Sequence, residues 1–295
     1  MIPRLTIFTP TYNRAHTIQR TYESILRQDA KFLSQVEWLI VDDGSTDNTE
    51  ELVRDWQNKQ LPFSLHYIKQ QNGGKHTAFN RAIQEARGDF FFTVDSDDWL
   101  TEGSVKKILK SKENITGEDS VCGIIALKCF PNGELIGRRY PDNYPLCSTR
   151  ELELAGHGGE RSLVFRTKII KQYPFPVIPG ERFCTECVVY DKIDANYKYF
   201  VSNDILTVCE YQSDGLTSNI ISLMMRNAIG YKIYFAQRID MATTTKERFS
   251  YAIRYWAFKL MKHDTQYNYQ GTNKIFVAMC LPLGILSYLF YKMKN

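Results

Sequence analysis

Three carboxylates fall within four residues in Asp95-Ser96-Asp97-Asp98, directly after the apolar run Phe90 to Val94. Such a cluster repels itself unless a cation or a dense donor network holds it together. Hard oxygen ligands suit Mg²⁺ or Mn²⁺, and Mg²⁺ usually keeps water and substrate phosphate in its shell. Alternation along an extended segment puts Asp95 and Asp97 on one side, where both can address a single diphosphate–metal unit. A solvated acidic loop, or a helix cap ahead of Trp99-Leu100, would use the same residue types. A second acidic pair, Asp42-Asp43, ends the apolar run Trp38 to Val41 and tips the balance toward ligands. An Asp in that place can accept from an imide N–H or a ribose hydroxyl. Gly44 and Asp47 are accounted for by a strand-to-helix turn with Asp47 as N-cap. Tyr12 can stack on a base, and Lys75 can offset base or phosphate charge.

These groups act together only if the chain brings them to one place. Leu5 to Phe8, Trp38 to Val41, Leu65 to Ile68 and Phe90 to Val94 read as four strands. Helical patterns separate them. The first has Ile18, Tyr22, Ile25 and Leu26 on one face. The second is opened by Asp47, with Glu50 in the capping-box position. The third carries Phe79, Ala82, Ile83 and Ala86 and is stopped by Gly88 as a left-handed cap. The pattern predicts a doubly wound, mostly parallel α/β sheet with right-handed crossovers. Ligands of such sheets bind beyond the carboxyl ends of the strands, so Thr11-Tyr12-Asn13, Asp42-Asp43 and Asp95 to Asp98 should share a crevice. Further on, Val121 to Phe130 and Glu134 to Gly137 read as strands joined by Pro131-Asn132-Gly133. Arg161 to Phe165, Tyr199 to Val201 and Leu206 to Tyr211 add strands, with a helix over about 185–196. This mixed β half makes a second wall. From Asn219 to Lys262 the pattern is helical and rich in aromatics.

The 295 residues suit about two domains, or one large α/β domain with an appendage. With 37 basic and 33 acidic residues the net charge is +4, too mild for a dedicated nucleic-acid binder. Seven cysteines without small-domain spacing indicate reduced thiols, and the Cys184/Cys187 pair has no further ligands nearby. No secretory signal is expected, since the apolar run Leu5 to Pro10 is too short. The 17 residues from Ile275 to Tyr291 contain no charge and are flanked by Lys274, Lys292 and Lys294. That length lies at the lower edge of a bilayer span, and Pro282 and Gly284 interrupt it. An interfacial or re-entrant form kinked at Pro282, on anionic lipid, is expected ahead of a full span.

Four stretches carry a resemblance: Thr9-Pro10-Thr11-Tyr12-Asn13-Arg14, Val41 through Asp47, Asn72-Gly73-Gly74-Lys75 through Asn80, and Gly88-Asp89 leading to Val94 through Asp98. In order and spacing they resemble the successive motifs of family 2 glycosyltransferases of the GT-A fold. The resemblance is close over residues 2 to 100 and looser to about 218. It implies inverting transfer from a nucleoside-diphosphate sugar (UDP, GDP or dTDP) with Mn²⁺ or Mg²⁺ as cofactor. It also implies that Pro10, Tyr12, Asp43 and Lys75 contact the nucleoside. Asp95 and Asp97 take the ribose, diphosphate and metal roles, with Asp98 competing for the metal. Pro179 through Glu186 resembles the acceptor-side motif and makes Glu186 the general base, with Glu181 in reserve. Thr185-Glu186 stands where the family more often has Glu-Asp. His157 to Arg161 is either a glycine-hinged loop over the acceptor or an ordinary polar loop.

The implied organisation is a GT-A domain over 1–218, with a nucleotide-sugar half (1–100) and an acceptor half (101–218). A helical extension over 219–295 follows, with 275–291 associating with a membrane. The implied setting is transfer to a saccharide acceptor, lipid-linked, at the cytoplasmic face of a bacterial membrane during cell-surface glycan synthesis. A sugar-nucleotide nucleotidyltransferase would want a Gly-rich basic loop after the first strand, where Pro10-Thr11-Tyr12-Asn13 offers none. A non-catalytic membrane-bound scaffold would have no need to keep Asp43, Asp95, Asp97 and Glu186.

Overall fold

Strands buried on both faces of a sheet read as unbroken apolar runs, and the first two strands do so. In the computed structural model, which describes residues 2–111, 115, 119–141, 145–212, 220–262 and 264–294, β1 (Leu5–Thr11) and β2 (Val36–Asp42) are buried along their whole length. They pair in parallel, Leu5 opposite Val36 and Thr11 opposite Asp42. β3 (Ser64–Lys69) and β4 (Phe90–Thr93) flank them, again in parallel. The crossovers carry α1 (Ile18–Leu26), α2 (Ala30–Leu33), α3 (Thr49–Gln57) and α4 (Lys75–Glu85). Tyr22 of α1, Trp38 of β2 and Trp56 of α3 stack, with Tyr22 and Trp56 rings 4.3 Å apart. Ring pairs of this kind add ~1 kcal/mol beyond their buried area and here pin both helices to the same sheet face. The Trp38 indole N–H donates to Thr9 Oγ1 at 2.9 Å, so burying the ring strands no donor.

The remaining elements of the sheet region are β5 (Trp99–Leu100), α5 (Ser104–Lys110), β6 (Val121–Cys129), β7 (Leu146–Cys147), α6 (Thr149–Leu154), β8 (Ser162–Arg166), α7 (Thr167–Ile170), α8 (Cys187–Asp194) and β9 (Lys198–Val208). The strand order is β3-β2-β1-β4-β8-β6-β9-β5, with β7 against β9. β8 runs antiparallel to β4 and to β6, while β6 and β9 are parallel. A parallel half therefore continues into a mixed half within one sheet.

Four local expectations change. Glu134 to Gly137 forms only an isolated bridge, Leu135 with Cys129, because most of that stretch is exposed and has little apolar face to bury. The segments at Tyr199 and Leu206 are one strand, β9. Its register against β6 jumps from Ile125↔Val201 to Leu127↔Ile205, so the polar Ser202-Asn203-Asp204 is absorbed in a bulge. Asp47 precedes the cap rather than forming it: α3 starts at Thr49, whose N–H and hydroxyl both donate to Asp47 Oδ1. Glu50 pairs with Arg54 and Lys69 and does not close a capping box. Gly88 is no left-handed cap, because α4 already ends at Glu85 with Ala86 extended. A Cβ at Gly88 would stand 2.5 Å from the Thr6 backbone nitrogen.

The chain divides into two compact units: Met1–Pro174 with Lys192–Gln212, and Phe175–Asp191 with Ser213–Asn295. The 218/219 boundary and the Asn219 helix start fall outside the described residues. The second unit holds α9 (Ile220–Arg226), α10 (Ala228–Met241), α11 (Thr245–Met261), α12 (Lys274–Met279) and α13 (Leu281–Met293). Tyr231, Phe235, Ile239, Tyr255 and Phe258 form its core. Buried Arg238 pairs with Asp191 at 2.7 Å and buried Lys232 with Asp264, so neither cation is left without a counter-charge. The apolar stretch 275–291 breaks at Cys280, and Pro282 lies in the first turn of α13, where its missing N–H has no helical partner to lose. Among the described residues no helix is long and apolar enough to cross a membrane. The full-span form gives way to two short helices.

Gly88→Ala should destabilise the protein by about 2 kcal/mol, as overpacking against backbone does. A lowered urea midpoint with an unchanged slope is the expected reading.

Candidate active site

The carboxyl ends of β1 and β2 are tied together by side chains from both motifs. Asn13, held at a positive φ of 54°, donates its backbone N–H to Ser45 Oγ at 2.8 Å and accepts from the Thr46 N–H at 2.8 Å. The Ala15 N–H donates to Asp47 Oδ2 at 3.1 Å. Asp42 accepts from the Ser45 N–H at 2.7 Å and from the Tyr67 hydroxyl. Asp43 is buried, and its carboxylate accepts from Gln70 Nε2 (2.8 Å), the Gly73 N–H (2.9 Å) and the Gly74 N–H (2.7 Å). Asp43 therefore shapes the 70–74 loop whatever else it contacts. Pro10 lies buried inside β1, and Tyr12 stands just beyond it, 46% exposed.

That loop delivers Lys75 to the start of α4, with Nζ 2.9 Å from each Asp95 carboxylate oxygen. The neighbouring Asp98 is buried and accepts from Lys128 Nζ of β6 at 2.8 Å, while Glu160 lies 3.7 Å from the same nitrogen. Among the described residues no side chain donates to Asp97. Two ammonium groups thus stand against three carboxylates at the end of β4, and Glu160 adds a further negative charge. The titration of these groups follows that imbalance. Burial works against the charge on Asp95, yet Lys75 and Lys128 outweigh it and hold its carboxyl below the usual range. Burial, then the charge of Asp95, pushes Asp97 up against the weaker pull of Arg14 and Lys75. Burial pushes Asp98 up to about 6, even with Lys128 beside it. Lys128 is desolvated too, but Asp98 and Asp95 keep its ammonium group above its ordinary value.

The donor set fits a hard divalent cation. The acidic surplus is all oxygen, and Asp97 is the carboxylate with no side-chain cation of its own. Among the described residues no three His, Cys, Asp or Glu side chains cage an ion by themselves. Such a site suits a cation that completes its shell with phosphate and water. Lys128 occupies Asp98 and Lys75 occupies Asp95, which leaves Asp97 as the carboxylate of the three without a salt bridge among the described residues. A groove of about 570 Å³ along the start of α3, lined by Ser45, Thr46, Asp47 and Arg54 among others, contains none of the β4 carboxylates. The chemistry lies elsewhere.

Glu186 belongs to the second unit, immediately before α8, and is half-buried. Its charge contributes, after burial, to pushing the Tyr231 hydroxyl up to about 12. Glu181 is committed to structure: its oxygens accept from the Ile229 and Gly230 N–H groups at 2.9 Å, at the N-terminus of α10, with Lys262 at 3.3 Å. Cys184 and Cys187 are thiols that form no disulfide. In the 157–161 loop, Arg161 donates to the carbonyls of Thr149 and His157, and Glu160 reaches toward Lys128.

The sequence profile described as Glycosyl transferase family 2 matches residues 6–173. The chain belongs to glycosyltransferase family 2. It is 32% identical over 123 residues to the uncharacterized glycosyltransferase EpsJ of Bacillus subtilis, covering 42% of this chain and 34% of that one. It is 33% identical over 155 residues to the chondroitin synthase of Pasteurella multocida, covering 52% and 15%. The chain thus spans about a third or less of these relatives. S. aureus TarS 1–349 in complex with UDP superposes with a TM-score of 0.58 at 16% identity, covering 98% of this chain and 90% of that one. Mannosyltransferase PcManGT from Pyrobaculum calidifontis, in complex with GDP-Man and Mn²⁺, gives 0.56 at 17%, covering 98% and 88%. Those likenesses carry the fold, a GT-A arrangement with a helical C-terminal part.

Within this family 2 chain, sequence reasoning passes over Lys128. Its signal is the single charge in the otherwise apolar run Val121 to Cys129, a residue that a buried strand tolerates only with a partner. Arg20 is likewise missed. Its guanidinium lies 4.8 Å from the centre of the Trp99 ring, directly after Asp98, and pairs with Glu210.

Lys128→Met should destabilise the protein by about 3 kcal/mol, because Asp98 is left buried without its cation. Asp98→Asn combined with Lys128→Met should recover most of that loss in a double-mutant cycle by urea unfolding. A double-variant loss equal to the sum of the Lys128→Met and Asp98→Asn losses would mean that the pair is not coupled.

Proposed function

We propose that this chain is an inverting, metal-dependent glycosyltransferase that moves a sugar from a nucleoside-diphosphate donor to a saccharide acceptor. The observation that carries the reading is the acidic surplus at the end of β4, with Asp97 in no salt bridge among the described residues, in a chain of family 2. UDP is the leading donor base, because the TarS neighbours include complexes with UDP and UDP-GlcNAc. Residues 1–218 serve as the catalytic domain, with 1–100 holding the donor and 101–218 the acceptor.

Tyr12 stacks on the base. Pro10 and Asp43 set the walls and loop around the nucleoside, and Lys75 places its charge beside the diphosphate. Asp97, with Asp95, holds Mn²⁺ or Mg²⁺, which supplies Lewis-acid stabilisation of the departing diphosphate. Glu186 takes the acceptor hydroxyl proton as that oxygen attacks the anomeric carbon from the face opposite the nucleotide. The base assignment rests on the Pro179-to-Glu186 motif. The acceptor is lipid-linked, and the chain works at the cytoplasmic face of a bacterial membrane in cell-surface glycan synthesis. This setting is supported by the uncharged 275–291 stretch and by relatives named as polysaccharide synthases.

Screening nucleotide sugars for donor hydrolysis with and without Mn²⁺ tests the reading directly. Turnover should depend on the cation, and Asp97→Ala should lower it by about 100-fold or more. Undiminished, Mn²⁺-responsive hydrolysis by Asp97→Ala would remove the metal role. Glu186→Gln should bind UDP with unchanged heat in calorimetry yet transfer about 100-fold more slowly. No heat with any nucleoside diphosphate would favour a scaffold.

A further inference from the structure

An apolar stripe runs along one side of α12 and α13. Ile275, Met279, Leu286, Phe290 and Met293 are 80%, 75%, 60%, 52% and 86% exposed. Ile275 and Met279 are four residues apart on α12, and Leu286, Phe290 and Met293 follow at spacings of four and three on one face of α13, with Pro282, Leu283 and Leu289 also exposed. The opposite face is used up. Gly284 is buried, and a Cβ there would stand 2.2 Å from Trp256 Cβ, so α13 lies hard against α11. Tyr288 and Tyr291 pack into the same core, and the Trp256 indole N–H donates to the Val277 carbonyl at 2.6 Å. The exposed stripe is therefore not a face awaiting its own unit.

Charge says what it meets. From Thr265 to Asn295 the sequence has no Asp or Glu and three lysines, Lys274, Lys292 and Lys294, which bracket the stripe. Lys292 and Lys294 lie 5.8 and 5.0 Å from the centres of the Tyr288 and Phe290 rings, stems along the apolar surface and ammonium groups at its end. A second copy of this chain would bring lysines against lysines. An anionic bilayer complements both features. At 13 residues, α13 is about 20 Å long against a hydrocarbon core of about 30 Å, so it fits the interface plane rather than a span.

We propose that the α12–α13 face docks flat into the headgroup–acyl boundary of an anionic membrane. Ile275, Met279, Leu286, Phe290 and Met293 are the inserted side chains, and Lys274, Lys292 and Lys294 bind lipid phosphates. The inference sharpens, and rests on, the membrane contact proposed above.

Flotation of the full chain with phosphatidylcholine vesicles, with and without about one-third phosphatidylglycerol, tests it. Binding should require the anionic lipid and weaken with added salt. Leu286→Asn with Phe290→Ser should reduce it about tenfold or more, with circular dichroism and vesicle-free donor hydrolysis unchanged. Lys292→Glu with Lys294→Glu should do the same. Absence of wild-type flotation, or equal flotation of the variants, would overturn the proposal. So would a wild-type dimer in light scattering that Leu286→Asn with Phe290→Ser converts to monomer. Because hydrolysis is read without vesicles, loss of docking and loss of the transferase reading are separate results.

Discussion

Where β4 ends, two ammonium groups face three carboxylates; the Lys128–Asp98 pair is nearly closed to water, the Lys75–Asp95 pair about one-third exposed, so water screens the imbalance only in part. Much of the surrounding architecture serves that arrangement. Lys75 arrives from the parallel half, at the first turn of α4. Lys128 arrives from the mixed half, on β6. Their meeting at Asp95 and Asp98 requires β8 to be inserted antiparallel between β4 and β6, with Phe91 opposite Phe165 and Phe165 opposite Gly123. The sheet must be continuous for the cluster to exist. The acidic cluster and a fold constraint are here the same set of contacts.

Several signature residues act as carpentry as much as chemistry. Asn13, Ser45 and Asp47 clamp the β1 and β2 loops to each other, and Asp43 draws Gly73 and Gly74 into place through three donors. Charge-assisted bonds of this sort contribute about 1.5–3 kcal/mol each, enough to hold loops that must not collapse into the crevice. The amino-terminal ends of the parallel strands have their own buried acid. Glu37 accepts from Thr6 Oγ1 at 2.6 Å and from the backbone and side chain of Arg87 at 2.7 and 2.8 Å. That acid is fully engaged, whereas Asp97 forms no salt bridge among the described residues.

The parallel half was legible because its signals are local. Apolar runs at Leu5, Trp38 and Phe90, separated by one-faced helical patterns, indicate parallel strands with helical crossovers without any distant partner. The acidic cluster was legible for the same reason. What escaped depends on neighbours far away in sequence. Nothing near Lys128 reveals that Asp98 lies beside it, and nothing near Ser202 reveals that a bulge against β6 will carry β9 through a polar stretch. Gly88 was read as a helix stop when its lack of a side chain is demanded by β1 packing, a contact with Thr6 across 82 residues. Glu181 looked like a spare base until the N–H groups of α10 claimed both its oxygens.

Those two N–H groups reach further than capping. By gripping Glu181, the start of α10 fastens the Phe175–Asp191 stretch to the helical bundle, and Glu186 is five residues along the same stretch. The Glu186 carboxylate therefore belongs to the same compact unit as the hydrophobic ridge of the last two helices, and is tied to it through Glu181 rather than through the sheet.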